Sequence, residues 1–457
     1  HNSGNFLKIQ LNGKGGNTFG FGAKVKIFYQ GKEQVQELTP FRGFQSSVAP
    51  YLIFGIGNSV SVDSIHIHWP SGGFEKIGNT STNTTLKLKE GDLEKIKYIQ
   101  QVNPLPMYSL ELSVPQTKNS TQVNDFKRQP LLNFGISGNG KPLAKADFDG
   151  DGLQDLFIGG AAGLSGQLLF GIESGRISKV DSLDFIPAKN SEDAVALPFD
   201  ANGDGYLDLF VGSGGIYNWN LGDQELKDRL YLNDGMGNFV ENSNALPVEF
   251  FPTGTALAGD FNGDGNQDLL VGARINPGQF PTSPGARIWV GNGKGNFSDE
   301  TEKIFPKLKS IGMLTDSDWI DLDRNGENEL ILVGDAMPIT VCSKRNGKWE
   351  IVTEEYFEVP QVGFWNDLEI ADWDRDGTPE LIVGNHGLNS QLYASTDQPM
   401  EILYHDFDGN GSTDAILGYF VQGQKYPSPT RDEVLGQVNF LKKRYLDFKS
   451  FAEVKME

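Results

Sequence analysis

One nine-residue pattern recurs six times in this chain, and few folds can accommodate it. The pattern is Asp, any residue, Asp or Asn, any residue, Asp or Asn, Gly, two further residues, then Asp or Glu, followed by a short apolar run. It appears as DFDGDGLQD from Asp147, DANGDGYLD from Asp200, DFNGDGNQD from Asp260, DLDRNGENE from Asp321, DWDRDGTPE from Asp372 and DFDGNGSTD from Asp406. Successive copies start 53, 60, 61, 51 and 34 residues apart. Self-similarity at such intervals marks a repeat architecture, in which each copy is one supersecondary unit.

Between the loops the sequence alternates strands with tight turns. Arg229-Leu230-Tyr231-Leu232 leads into Asn233-Asp234-Gly235-Met236-Gly237-Asn238, and Ile288-Trp289-Val290 into Gly291-Asn292-Gly293-Lys294-Gly295-Asn296. Gly and Asn supply the positive φ that hairpin turns require. Strand, acidic loop, strand, hairpin, strand at about fifty residues is the plan of a four-stranded propeller blade. A parallel α/β fold would need a crossover helix in each interval, and helical periodicity is scarce there. The chain is therefore expected to be all-β, with a β-propeller over 101–457 and a small all-β domain over 1–100. Phe6–Leu11, Ala23–Ile27 and Val62–Trp69 alternate as strands in the latter, and polar and proline residues from Gln101 to Pro106 mark the boundary. Six loops plus strand-like sequence from Met107 to Asn133 predict about seven blades. The short interval before Asp406 leaves the last of them irregular or missing. A helical segment is expected near 430–445, where Leu435, Val438, Leu441 and Tyr445 are spaced helically and Lys442-Lys443-Arg444 suits a helix C-terminus.

The loops have the chemistry of a hard-cation site. Calcium takes six to eight oxygens at about 2.3–2.6 Å in a flexible cage. Oxygens at positions one, three and five converge when a tight loop curls, Gly at six permits the turn, and the carbonyl at seven and carboxylate at nine complete the shell. The expected ligands are Asp147, Asp149, Asp151, Asp155 and the Leu153 carbonyl in the first loop, and Asp200, Asn202, Asp204, Asp208 and the Tyr206 carbonyl in the second. The third offers Asp260, Asn262, Asp264, Asp268 and the carbonyl of Asn266; the fourth offers Asp321, Asp323, Asn325, Glu329 and that of Glu327. Asp372, Asp374, Asp376, Glu380 and the Thr378 carbonyl form the fifth, and Asp406, Asp408, Asn410, Asp414 and the Ser412 carbonyl the sixth. Every Asn or Glu departure keeps an oxygen donor. Magnesium demands stricter octahedral geometry, and zinc would want the Cys or His these loops lack. An EF-hand would place its last carboxylate at position twelve between helices. An Asp/Gly turn bonded only to itself is the alternative for a single copy; six copies favour several structural calcium ions.

The six loops resemble the FG-GAP/VCBS repeats of bacterial surface proteins and integrin α-subunit propellers, where such loops bind calcium. The first hundred residues resemble the ASPIC/UnbV domain, through Asn17 with Gly22-Ala23-Lys24-Val25, Arg42-Gly43-Phe44, Phe54-Gly55-Ile56-Gly57 and Trp69-Pro70-Ser71-Gly72. The resemblance implies an exported protein, extracellular or in a bacterial cell envelope, with adhesion-like or ligand-binding roles. It implies no agreed activity for the ASPIC/UnbV part.

Charge and the remaining motifs narrow the function classes. Sixty acidic against 39 basic residues leave −21, which repels phosphate backbones, so nucleic acid is not an expected partner. No apolar run reaches the ~18 residues a bilayer span needs. His1-Asn2-Ser3-Gly4 shows no signal-peptide pattern, so a piece of a longer exported precursor, outer-membrane anchored in full length, is expected. Asn79, Asn83, Asn119 and Asn296 sit in glycosylation-type triplets that matter only in a glycosylating host. The lone Cys342 cannot form an internal disulfide and reads as a buried strand residue. His66 and His68 share a strand face, a polar face rather than a chelate; His386 is placed to line a propeller face and His405 reads as structural. Trp219, Trp319, Trp373 and Phe364-Trp365 read as inter-blade core before ligand platform. No G-x-S-x-G, H-E-x-x-H or phosphate-loop motif appears, and no catalytic residue is assigned. The leading expectation is a secreted or cell-surface calcium-binding module for glycan or protein ligands. The alternative is a calcium-dependent lyase or hydrolase on the same scaffold.

Overall fold

The computed structural model describes residues 4–41, 43, 46–95, 124–138, 142–162, 164–172, 176–179, 191–216, 219–387, 390 and 392–456. It divides into two compact units, His1–Glu111 and Leu112–Glu457. The expected boundary at Gln101–Pro106 lies outside the described residues. Among the described residues no helix is long and apolar enough to cross a membrane.

In the first unit, period-two alternation builds the core. Phe6–Asn12 buries Leu7, Ile9 and Leu11, and pairs antiparallel with Leu52–Gly55 and parallel with Thr84–Lys89. A five-stranded sheet runs Glu94–Lys95, Phe74–Ile77, Ser64–His68, Lys24–Tyr29, Lys32–Glu37, and turns Val25, Ile27, Ile65 and Ile67 inward. Of the residues that carried the family resemblance, Arg42 and Phe44 lie outside the described residues, and Asn17 and Trp69 are scaffold. The Asn17 side chain clamps Phe21 through its amide and carbonyl at 2.9 and 2.8 Å. Buried Trp69 donates its Nε1–H to Glu75 at 2.8 Å, and the other Glu75 oxygen accepts the Gly91 N–H. His66 packs between the rings of Phe28 and Phe74, so the histidine face is aromatic and polar.

The second unit is a β-propeller assembled from hairpins. Blade one is Leu143–Ala146, Asp155–Ile158, Gln167–Ile172 and Arg176–Lys179. Blade two is Glu192–Phe199, Asp208–Gly214, Arg229–Asn233 and Phe239–Glu241. Blade three is Thr253–Gly259, Asp268–Ala273, Ala286–Gly291 and Phe297–Asp299, and blade four Met313–Ile320, Glu329–Pro338, Thr340–Arg345 and Lys348–Ile351. Blade five contributes Val362–Ala371 and Glu380–Asn385. The first strands of blades one to five pack side by side in chain order. Aromatics fill the seams as expected: Phe261, Trp319 and Trp349 form one cluster, and Trp319 Nε1–H donates to Ala258 O at 2.9 Å. Trp373, by contrast, is 78% exposed. Cys342 is fully buried on its strand, where burial pushes its thiol up to about 12.

Three features depart from a regular seven-blade ring. Blades four and five share one six-stranded sheet, because residues 335–338 pair with 362–364 across a bulge at Asp335/Met337. The final sheet, Glu401–His405, Asp414–Val421 and Gln424–Pro427, has three strands instead of four. Its Thr413 N–H donates to Gly278 O at 3.1 Å, and Ala415 and Leu417 join Ile216, Ile275, Phe280 and Phe364 in one cluster. The stretch expected to seed a further blade lies outside the described residues over 107–123. Its described part, 124–133, forms a 3₁₀ turn at Asp125–Lys127 instead of a strand. Tertiary hydrogen bonds hold it there: Arg128 donates to the carbonyls of Ile216, Trp219 and Pro277, and Gln129 to those of Phe280 and Thr413. Six acidic-loop hairpins are thus present among the described residues. The helical segment expected near 430–445 is a short helix, Arg431–Gln437, with a capping box at Thr430 and Glu433, followed by a 3₁₀ helix at Asn439–Lys443 and a second short helix at Phe448–Ala452.

Candidate metal centres

All six acidic loops sit at one place in their hairpins. The residue before position one pairs with position nine in each: Ala146 with Asp155, Phe199 with Asp208, Gly259 with Asp268, Ile320 with Glu329, Ala371 with Glu380 and His405 with Asp414. The strand pair therefore pins both ends of every loop.

Inside that frame the same hydrogen bonds recur. The position-six N–H donates to a position-one carboxylate oxygen at 2.9–3.0 Å in all six loops. The position-five N–H bonds the position-three side chain, and the position-seven N–H the position-five side chain, as with Tyr206 N to Asp204 at 2.9 Å. The position-two N–H donates to the position-nine carboxylate at 2.7–3.0 Å. Position six is left-handed throughout, from φ 86° at Gly152 to 89° at Gly326. Position four is left-handed too, and there loops four and five carry Arg324 and Arg375 at φ 61° and 65°.

Position nine also ties the loop to the third strand. Asp155, Asp208 and Asp268 accept the N–H groups of Gly171, Asn233 and Gly291 on their second oxygen, at 2.8–2.9 Å. These carboxylates are buried, and burial raises each above the ordinary carboxylate range, Asp208 to about 6. Neighbouring loop carboxylates add to the rise at all three.

Four loops bring carboxylates together. Asp372, Asp374, Asp376 and Glu380 offer oxygens within 4.8 Å of one another, as do Asp147, Asp149 and Asp155, Asp321, Asp323 and Glu329, and Asp406, Asp408 and Asp414. That span is about twice a Ca–O bond of 2.3–2.6 Å, so one ion could touch every member. The donors are all hard oxygens, which fits calcium better than zinc. Asp151 lies outside the first group. In loops two and three, Asn202 and Asn262 turn their amide N–H to Asp204 and Asp264 at 2.9 and 2.8 Å.

What sequence reasoning missed is that the loops also stitch blade to blade. The carbonyl at position two accepts from the next blade's outer hairpin: Phe148 O from Asn233 Nδ2 at 2.8 Å, Ala201 O from Gly295 N at 3.0 Å, and Phe261 O from Trp349 Nε1 at 3.1 Å. Apolar position-two side chains, Phe148 and Phe261 among them, are buried at these seams. The apolar residue two places into each nonapeptide was the available signal.

Comparison with known proteins agrees with this picture. Residues 13–95 match the family model of ASPIC and UnbV, and residues 200–271 and 321–383 match the FG-GAP-like repeat. No curated protein matches the sequence. Among solved structures, an Agrocybe aegerita lectin described for specific recognition of non-reducing terminal N-acetylglucosamine aligns at 15% identity, with 64% of this chain and 77% of that one covered and a TM-score of 0.34. At that similarity it says nothing of this chain's ligand. The chain thus carries an ASPIC/UnbV domain at residues 13–95 and FG-GAP-like repeats at residues 200–271 and 321–383.

Proposed function

We propose that this is a calcium-loaded binding module that works outside the cytoplasm, secreted or at the cell envelope, and engages glycan or protein ligands on a surface. The observation that carries the reading is the identical wiring of six oxygen-rich loops, four of which gather their carboxylates within one ion's reach. Calcium would be held by the side chains at positions one, three, five and nine with the carbonyl at seven. Its chemistry there is charge neutralisation and loop rigidity, and three of the loops also bond the next blade. Extracellular modules bind calcium with constants of about 10⁻⁴–10⁻³ M, and an exported protein meets such levels. The acidic balance disfavours nucleic acid.

Binding of the full chain to glycan and extracellular-protein arrays, in millimolar calcium and again with chelator, tests the reading. Calcium-dependent retention on one class of ligand is expected. No retention on either array in calcium would contradict it.

A further inference from the structure

The hairpin ends opposite the acidic loops hold a second kind of site. In blades three, four and five, Arg274, Asp335 and His386 each lie six residues beyond position nine, at or just past the far end of the second strand's apolar run. These residues, with Asn366 and Phe364 of blade five and Phe134 and Gly135 of the 124–138 segment, enclose a cavity of about 390 Å³. That lies within the ~300–1,000 Å³ of small-molecule sites.

Its polar equipment is incomplete on its own. Asp335 is 2% exposed; one carboxylate oxygen accepts Arg274 Nε–H at 3.2 Å, and Oδ1 is buried with no hydrogen-bond partner among the described residues. Leaving a buried acceptor unmade costs its full desolvation, so such a group is retained where something completes it. The carboxylate sits at the bulge between blades four and five, beside Ala336 in the left-handed region at φ 54°. Bulges and strained residues concentrate at functional sites, where they re-aim a side chain. The rings of Phe134, Phe364 and His386, in the same lining, lie 5.5–6.3 Å apart, centre to centre.

We propose that this cavity binds a neutral sugar ring of a glycan. A hydroxyl donates and accepts at once, so it can give its proton to Asp335 Oδ1 while receiving one from the Arg274 guanidinium. The ring's C–H face would lie on Phe134 and Phe364, with Asn366 and His386 at the rim. The Arg274–Asp335 pair cancels its own charge, which favours a neutral ligand over an anion or a cation. Asp335 and Phe364 also border a cavity of about 740 Å³, so a bound ring has room to continue. The assignment rests on the binding-module reading and names its ligand class and place.

Saturation-transfer NMR on the full chain in millimolar calcium tests it. The probes are glucose, galactose, mannose and N-acetylglucosamine, with N-acetylneuraminic acid and glucosamine as charged controls. At least one neutral sugar is expected to bind, and Asp335→Asn should weaken it about tenfold or more. Asn366→Ala, at an exposed position that does not threaten folding, should weaken it measurably as well. Equal binding by wild type and both variants would overturn this site and leave the module's function standing. Preference for a charged control would overturn the neutral assignment. No transfer to any sugar, from a chain that still captures a protein ligand in calcium, would overturn the glycan assignment alone.

Discussion

At the scale of single residues, the left-handed glycine at position six does what no other residue does at low cost. With φ at 88°, Gly205 directs its N–H to Asp200, and a Cβ there would crowd the backbone by about 1–2 kcal/mol. Gly205→Ala should lower stability by that amount in a denaturant titration; an unchanged midpoint would show that the loop is not so constrained. Position four shows the limit of reading from sequence. Arg324 and Arg375 are left-handed there, yet Arg carries no such signal, whereas Gly150, Gly203, Gly263 and Gly409 at the same place do. A second residue-scale effect concerns Asp228, buried against Ser213 N–H and the Thr253 hydroxyl, where burial raises its carboxyl from 3.8 to about 7. The folded chain then holds this proton more tightly than the unfolded chain. Between about pH 4 and 7 the unfolded state binds fewer protons, so Asp228 costs stability as pH rises through that window. Asp228→Asn, which mimics the protonated form, should gain on wild type in melting temperature from pH 5 to pH 8. A difference that stays flat with pH would contradict the assignment.

At the scale of elements, hairpin logic was legible because it is written in side-chain identity. Acidic positions, glycines and the apolar run that follows place each first and second strand, and the register closes every loop on position nine. What could not be read is decided by partners distant in the chain. Residues 124–133 are strand-like in composition, yet Arg128 and Gln129 find carbonyls near 216–219, 277–280 and 413, and the segment turns accordingly. The merged sheet of blades four and five likewise depends on the bulge at Asp335/Met337. The lining of the neutral cavity left a faint trace: the repeats agree through their shared glycine and diverge just beyond it, at Arg274, Asp335 and His386. The inter-blade stitch makes its own prediction. Asn233→Ala removes the buried bond to Phe148 O and a second to Leu207 O at 3.0 Å, and should cost about 1–3 kcal/mol. Chemical denaturation in calcium measures it, and a loss below ~0.5 kcal/mol would mean that water replaces the bond.

At the scale of the whole molecule, charge and calcium are one subject. The cage positions gather a third of the chain's sixty carboxylates into small volumes, and without cations those groups repel in partly desolvated loops. Each independent site at a hundredfold excess of calcium over its constant would add about 2.7 kcal/mol, and less near half-saturation. Because three loops also bond the next blade, removing metal should loosen seams as well as loops. Loop five, with four carboxylates in reach, should hold its ion most tightly, and loops two and three, with Asn at position three, less so. The most direct test is the calcium content of the purified full chain by mass spectrometry after equilibration in millimolar calcium. At least four ions per chain are expected, one for each converged carboxylate group; fewer than about three at that concentration would contradict the calcium account.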